Sequence, residues 1–131
     1  MKIQSFPGVV VLKISGTDVG EFGDRPMREL QNCVQDEEPV HLFIDARDVR
    51  GASMDVSGDW AEWLRAHHTY FQNISMLTGS RYVEITADFV RRFAALESKM
   101  RIYTRPVIFD AFLEHSLLGA TGMKNLSARR S

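Results

Sequence analysis

Two aspartates three residues apart, Asp45 and Asp48, close an apolar run in VHLFIDARDVRG, residues 40–51. Carboxylates in that position have the chemistry of a nucleophile or of Mg²⁺ ligands. Phosphoryl transfer needs further acidic or lysine groups arranged around them, and the chain offers no such set. The simpler role is structural, closing the following turn and pairing with Arg47 or Arg50. His67 and His68 are adjacent, so on a helix they point ~100° apart. Zinc motifs instead place two histidines at i and i+4. Cys33 is the only cysteine, and its neighbours Leu30 and Val34 suggest a buried structural thiol rather than a nucleophile. The glycine-rich run GTDVGEFG after the second apolar segment lacks both the GK[ST] of a phosphate loop and the spacing of a dinucleotide fingerprint. These residues predict no catalytic set, no metal site and no cofactor, and the chain reads as a non-enzyme.

The elements that position these residues follow from apolar periodicity. Met1–Phe6 and Val9–Ile14 are rich in β-branched and aromatic residues and flank Pro7-Gly8, which favours a tight antiparallel turn. Gly16 ends the second strand. A loose turn at Asp18–Glu21 leads to a helix from about Arg25, with Met27, Leu30, Cys33 and Val34 as its buried stripe. The acidic run Asp36-Glu37-Glu38-Pro39 stops it. Val40–Asp45 reads as a central strand buried on both faces, followed by a polar loop and a helix from about Ser57. In that helix Trp60, Trp63, Leu64, His67 and Phe71 share one face, where the tryptophans read as core and His67 as a core-edge residue. Asn73–Thr78 is a short strand. Thr86 caps the next helix, with Phe89, Val90, Phe93 and Ala94 inward. Met100–Tyr103 is the last strand, and Pro106 opens a helix with Phe109, Phe112, Leu113 and Leu117 on its apolar face. The pattern predicts an α/β fold. It has a single layer of about five mostly parallel strands, an antiparallel edge strand, and helices packed against the sheet. Residues 1–118 form one domain, and residues 119–131 read as a flexible C-terminal tail.

Composition narrows the partners. Sixteen Lys and Arg against seventeen Asp and Glu leave a net charge of −1, which gives no general attraction to nucleic acid or to an anionic membrane. No stretch approaches ~18 uninterrupted apolar residues, so no membrane span is expected. The first residues make a poor secretion signal, which makes the cytoplasm the expected location.

Three segments together resemble the STAS superfamily, and particularly its SpoIIAA-like branch. VVVLKISG followed by a helix resembles the strand that opens those domains. VHLFIDARDVRG resembles their signature, an apolar strand running into Asp, a basic or polar residue, Asp, an apolar residue and Gly. MRIYTRPVIFDAFLEHSL resembles the closing strand and the helix docked beside it. The segments run from about Val9 to Leu118.

The resemblance implies a regulatory, non-enzymatic module similar to anti-sigma factor antagonists. Those proteins carry Asp-Ser-Ser/Thr-Gly at the start of the helix after this strand, and a kinase phosphorylates the residue before the Gly. Asp55-Val56-Ser57-Gly58 matches the Asp, the phosphoacceptor and the Gly, with Val56 in place of the first Ser. If the loop is aligned without its two extra residues, Ser53 falls at the phosphoacceptor position instead. The candidate phosphoacceptors are thus Ser57 and Ser53, and the implied partner is an anti-sigma factor or serine kinase. Because the carboxyl end of a strand and the next helix's amino end form the edge where α/β sheets meet ligands, the candidate partner-binding residues are Asp45, Arg47, Asp48, Arg50, Asp55, Gly58 and Asp59. The alternative is a carrier for a small molecule or lipid, with an apolar pocket between helices and sheet lined by Trp60, Trp63, Phe71, Phe89 and Phe93.

Overall fold

A computed structural model describes residues 1–18, 25–34 and 38–130. The loose turn at Asp18–Glu21, beyond Asp18 itself, and Asp36 and Glu37 of the acidic stop after the first helix lie outside the described residues. Five strands form one sheet in the order β1-β2-β3-β4-β5. They are β1 (Lys2–Phe6), β2 (Val9–Asp18), β3 (Val40–Ala52), β4 (Phe71–Thr78) and β5 (Met100–Tyr103). The helices are α1 (Arg25–Cys33), α2 (Met54–His67), α3 (Arg81–Phe93) and α4 (Pro106–Arg130). β1 pairs antiparallel with β2, across a turn in which Gly8 takes φ 75°. The remaining three pairs are parallel.

The layering follows from this strand order. Each parallel connection steps in the same direction, and right-handed crossovers then put every connecting helix on one face. On that face Val10, Leu12, Leu42, Ile44 and Ile74 pack with Leu30 of α1, Leu64 of α2 and Val90 of α3. The opposite face carries Val9, Val11, Phe43 and Leu77, packed with Phe109 of α4. Alternating positions of β2 and β3 are therefore buried on both sides, which explains their continuous apolar sequence. No helix among the described residues is long and apolar enough to cross a membrane.

Several boundaries differ from the sequence pattern. β3 does not stop at Asp45 but runs to Ala52, and β2 passes Gly16 to reach Asp18. Register shifts between Lys13 and Ser15, and between Gly16 and Thr17, let β3 carry two extra residues against β2. Such bulges break the apolar alternation and so hide the strand. β4 pairs with β3 only as far as Ala46, leaving residues 47–52 as a ribbon partnered by β2 alone. α2 begins at Met54 rather than Ser57, because Ser53 is its N-cap and accepts from Val56 N at 3.2 Å. α3 begins at Arg81, capped by Ser80, and Thr86 lies inside it donating to the Tyr82 carbonyl at 3.1 Å. α4 continues past Leu117, where the apolar pattern ends, as far as Arg130.

Candidate functional site

The apolar half of β3 delivers Asp45 to the last paired positions beside β4, where it is 8% exposed. Its Oδ1 accepts from Arg47 N at 3.2 Å and from Arg47 Nε at 3.0 Å. These two residues point to the same sheet face, as i and i+2 must in a strand. That face is the one covered by α4. There Arg47 Nη1 donates to Asp110 Oδ2 at 3.2 Å, and Nη2 pairs with Asp110 Oδ1. The fork-on-fork contact adds geometric specificity and pins the first turns of α4 to β3. Asp110, and then Asp45, push the Arg47 guanidinium pKa further above its ordinary value, so Arg47 stays charged throughout. The Asp45 carboxylate is paired with Arg47 through Oδ1. Among the described residues no group of three or more His, Cys, Asp or Glu is arranged to hold a metal ion.

Beyond the first bulge the strand turns different residues outward. Asp48 and Arg50 are exposed, whereas Val49 and Ala52 face the helices α2 and α3. Gly51 is buried, and a β-carbon there would touch the Tyr82 ring at 3.5 Å. The ribbon therefore lies directly against the start of α3. At the start of α2, Met54 is 79% exposed, and Asp55 and Asp59 are also exposed. Gly58 is half-buried. The two candidate phosphoacceptors are in different settings. Ser53 is half-buried at the N-cap, while Ser57 is 5% exposed, one turn further in, and donates to the Ser53 carbonyl at 3.0 Å. Of the seven candidate partner-binding residues, Asp48, Arg50, Asp55 and Asp59 are exposed and Gly58 is half-buried, while Asp45 is paired with Arg47, and Arg47 with Asp110 of α4.

The aromatic residues divide. His67 stacks on Trp63 with centroids 4.7 Å apart and donates from Nδ1 to the Trp63 carbonyl at 2.8 Å. It also stacks on Tyr70 at 5.5 Å, so it is fixed at the edge of the core. A pocket does lie between helices and sheet, but of the five aromatics expected to line it only Trp60 does. Phe71 is in the core, and Phe89 and Phe93 are 44% and 48% exposed. The residues facing inward on α3 are Val83, Ala87 and Val90. The outward stripe Tyr82, Ile85, Phe89 and Phe93 recurs at spacings of three and four, which keeps it on one side of the helix. This surface escaped the sequence pattern because α3 is apolar along two stripes.

Cys33 is half-buried, and burial together with the Glu29 carboxylate pushes its thiol pKa up. A raised pKa leaves less thiolate at any given pH, and thiolate is the reactive form. Iodoacetamide at pH 8 is therefore expected to alkylate the folded protein at least severalfold more slowly than the chain unfolded in guanidinium. Equal rates would show the thiol to be open.

No family model matches the chain, and no curated protein matches it. A solved structure does. It is an uncharacterised protein of the DUF3478 family, with a SpoIIAA-like fold, from Shewanella loihica PV-4. The TM-score is 0.62 at 14% identity, over 86% of this chain and 90% of that one. The chain has a SpoIIAA-like α/β fold.

Proposed function

We propose that this protein is a non-enzymatic interaction module of the cytoplasm, which docks a protein partner on the edge formed by the β3 ribbon, the start of α2 and the outer side of α3. The observation that carries this reading is the exposed apolar stripe Tyr82, Ile85, Phe89 and Phe93, with Met54 beside the charged residues Asp48, Arg50, Asp55 and Asp59. An apolar strip bordered by polar groups is what a protein–protein contact requires. By analogy with anti-sigma factor antagonists, the partner is an anti-sigma factor or a serine kinase. Ser53 is the better phosphoacceptor of the two serines. Its hydroxyl is at the helix start, whereas Ser57 is buried and would need the first turn to unwind. A phosphate on Ser53 would meet the free N–H groups and positive dipole end of α2. It would also add about −1.5 to −2 charges beside Asp55 and Asp59, which weakens a docked acidic or apolar partner surface.

Photo-crosslinking tests this. A photoreactive residue at Ile85, introduced in the native host, is expected to yield one adduct that a probe at Gln4 on the far edge strand does not. Ser53→Asp is expected to cut its yield at least tenfold, whereas Ser53→Ala is expected to keep it, at ~1 kcal/mol of stability for the lost cap. No adduct from Ile85 or from a second probe at Asp55 would remove the interaction reading. Equal yields for the two Ser53 variants would remove the switch.

A second reading is favoured by a separate observation. A cavity of about 100 Å³ lies between α2, α3 and the sheet, lined largely by apolar side chains such as Ile44, Met76 and Val90, and such a lining favours a carrier of a small apolar molecule.

A further inference from the structure

The side chains of α3 follow a fixed order around its axis at ~100° per residue. Val83, Ala87 and Val90 face the sheet. Beside them Thr86 lines the cavity shared with Ser57 and Trp60 of α2, so this flank of α3 turns toward α2. Continuing outward come Phe93, Tyr82, Phe89 and Ile85, and then Arg92 and Arg81. The four apolar residues are each at least 44% exposed. From Tyr82 to Phe93 the stripe rises ~16 Å, about three helical turns. It borders the furrow between the two helices, with the arginines along its outer margin. Among the described residues Arg81 is in no ion pair, and Arg92, 74% exposed, gives its Nε to Asp88 at 3.0 Å. Asp88 is also held by Arg91, and Glu84 lies half-buried beyond them. The uncompensated charge next to the stripe is therefore positive. On α2, the exposed Asp55, Asp59 and Glu62 recur at i, i+4 and i+7, opposite the buried Ser57 and Leu64, which points them away from the furrow.

We propose that the stripe docks an amphipathic helix of a partner protein, of about three to four turns, with an apolar face and with carboxylates along one margin that meet Arg81 and Arg92. The proposal rests on the docking reading and specifies the partner's chemistry. Backbone satisfaction selects a helix. An extended segment would lay unpaired N–H and C=O groups against the rings of Tyr82, Phe89 and Phe93, which is costly. A helix has bonded its own backbone groups and presents apolar side chains at i, i+3, i+4 and i+7. Charge selects the margin. Arg81 and Arg92 attract carboxylates, while Asp55, Asp59 and Glu62 repel them from the α2 side, so the acidic margin lies over α3. A phosphate on Ser53 would add to that repulsion.

Three stapled helical peptides of ~14 residues separate the apolar from the charged contribution. One carries a leucine face with a glutamate margin, and the second the same face with a lysine margin. The third keeps the glutamate margin but has glutamine in place of the leucines. NMR titration of the full chain is expected to show saturable binding of the first at the Ile85 methyls and the Phe89 and Phe93 rings. The second is expected to bind about tenfold more weakly, because exposed ion pairs are individually weak but two are reversed. The third is expected not to bind. In about 0.5 M NaCl the gap between the first two is expected to shrink, since exposed charges are screened. Arg81→Glu with Arg92→Glu, at two exposed positions, is expected to invert the preference. Equal or tighter binding of the lysine peptide to the wild-type chain would overturn the acidic margin, as would an unchanged preference in the double variant. Binding of the third peptide as tight as the first would remove the apolar stripe as the docking surface. If the wild-type chain sediments as a dimer that Ile85→Glu dissociates, the occupant is a second copy and the proposal falls. If no peptide binds, the helix proposal falls too, while the Ile85 and Asp55 crosslinks decide the docking reading separately.

Discussion

Phe109→Ala is expected to lower the unfolding free energy by about 3–5 kcal/mol, the usual cost of emptying a buried phenylalanine site. Phe109 is fully buried and stands edge-on to Phe43 at 5.8 Å and to Tyr103 at 5.9 Å. It is the main α4 side chain filling the second face of the sheet, where among the described residues Val9, Val11, Phe43 and Leu77 pack with no helix but α4. The other face draws on three helices, so a cavity there has more neighbours to relax into it. Phe112 provides the internal control. It approaches Phe43 at 5.4 Å but is 39% exposed, so Phe112→Ala is expected to cost less than half as much. Urea unfolding followed by Trp60 and Trp63 fluorescence measures both, because those residues sit on the opposite face and report the whole fold. A Phe109→Ala cost below about 1 kcal/mol would mean that α4 does not seal this face. Freed of its anchor, α4 would also release Asp110 from Arg47, so the effect should reach the β3 edge.

Much of this architecture was legible because both helical and strand periods are strong where burial is complete. The element order, the antiparallel edge pair and the two-sided burial of Val40–Asp45 follow from that pattern alone. What escaped it has specific causes. The residues after Asp45 mix charged residues with small or apolar ones, Ala-Arg-Asp-Val-Arg-Gly-Ala, and read as a loop. They are strand because β2, some thirty residues away in sequence, pairs with them through two bulges. The helix starts escaped for a different reason. Ser53 and Ser80 cap onto Val56 N and Val83 N, and neither is followed at N3 by the Glu or Gln that marks a capping box. Ser57 and Thr86, a turn or more further on, therefore looked equally good.

The outward aromatics of α3 reverse the usual hydrophobic rule. Ala87 and Ala94 go inward and Phe89 and Phe93 outward. Alanines let the helix approach the sheet closely, and no local pattern reports that distance. The consequence for the site is direct. The sequence pattern named the charged residues Asp48, Arg50, Asp55 and Asp59 as candidates, but the apolar stripe beside them and the depth of Ser57 depended on where two helices begin.

Gly79→Ala tests the joint that sets those beginnings. Gly79 follows β4 and precedes the Ser80 cap of α3. A β-carbon built on it would collide with the Arg47 carbonyl oxygen, and would lie 2.9 Å from its carbonyl carbon and 3.2 Å from its Cα. All three atoms are backbone, so no side-chain rotation relieves the contact, and either β3 or the β4–α3 turn must move. Overpacking of this kind costs about 1–3 kcal/mol where side chains can yield and more where they cannot, so ~3 kcal/mol or more is expected. The displacement also has a direction. Moving Arg47 disturbs its bonds to Asp45 and Asp110, and moving the turn disturbs the Ser80 bond to Val83 N. Urea unfolding gives the cost, and the amide shifts of Arg47 and Val83 show whether the change spreads both ways from one methyl group. Serine at the same position carries the same β-carbon and should behave alike. If alanine and serine both leave stability within ~0.5 kcal/mol of the parent, β3 and the β4–α3 turn do not approach so closely. The bulged ribbon would then owe its position to β2 alone.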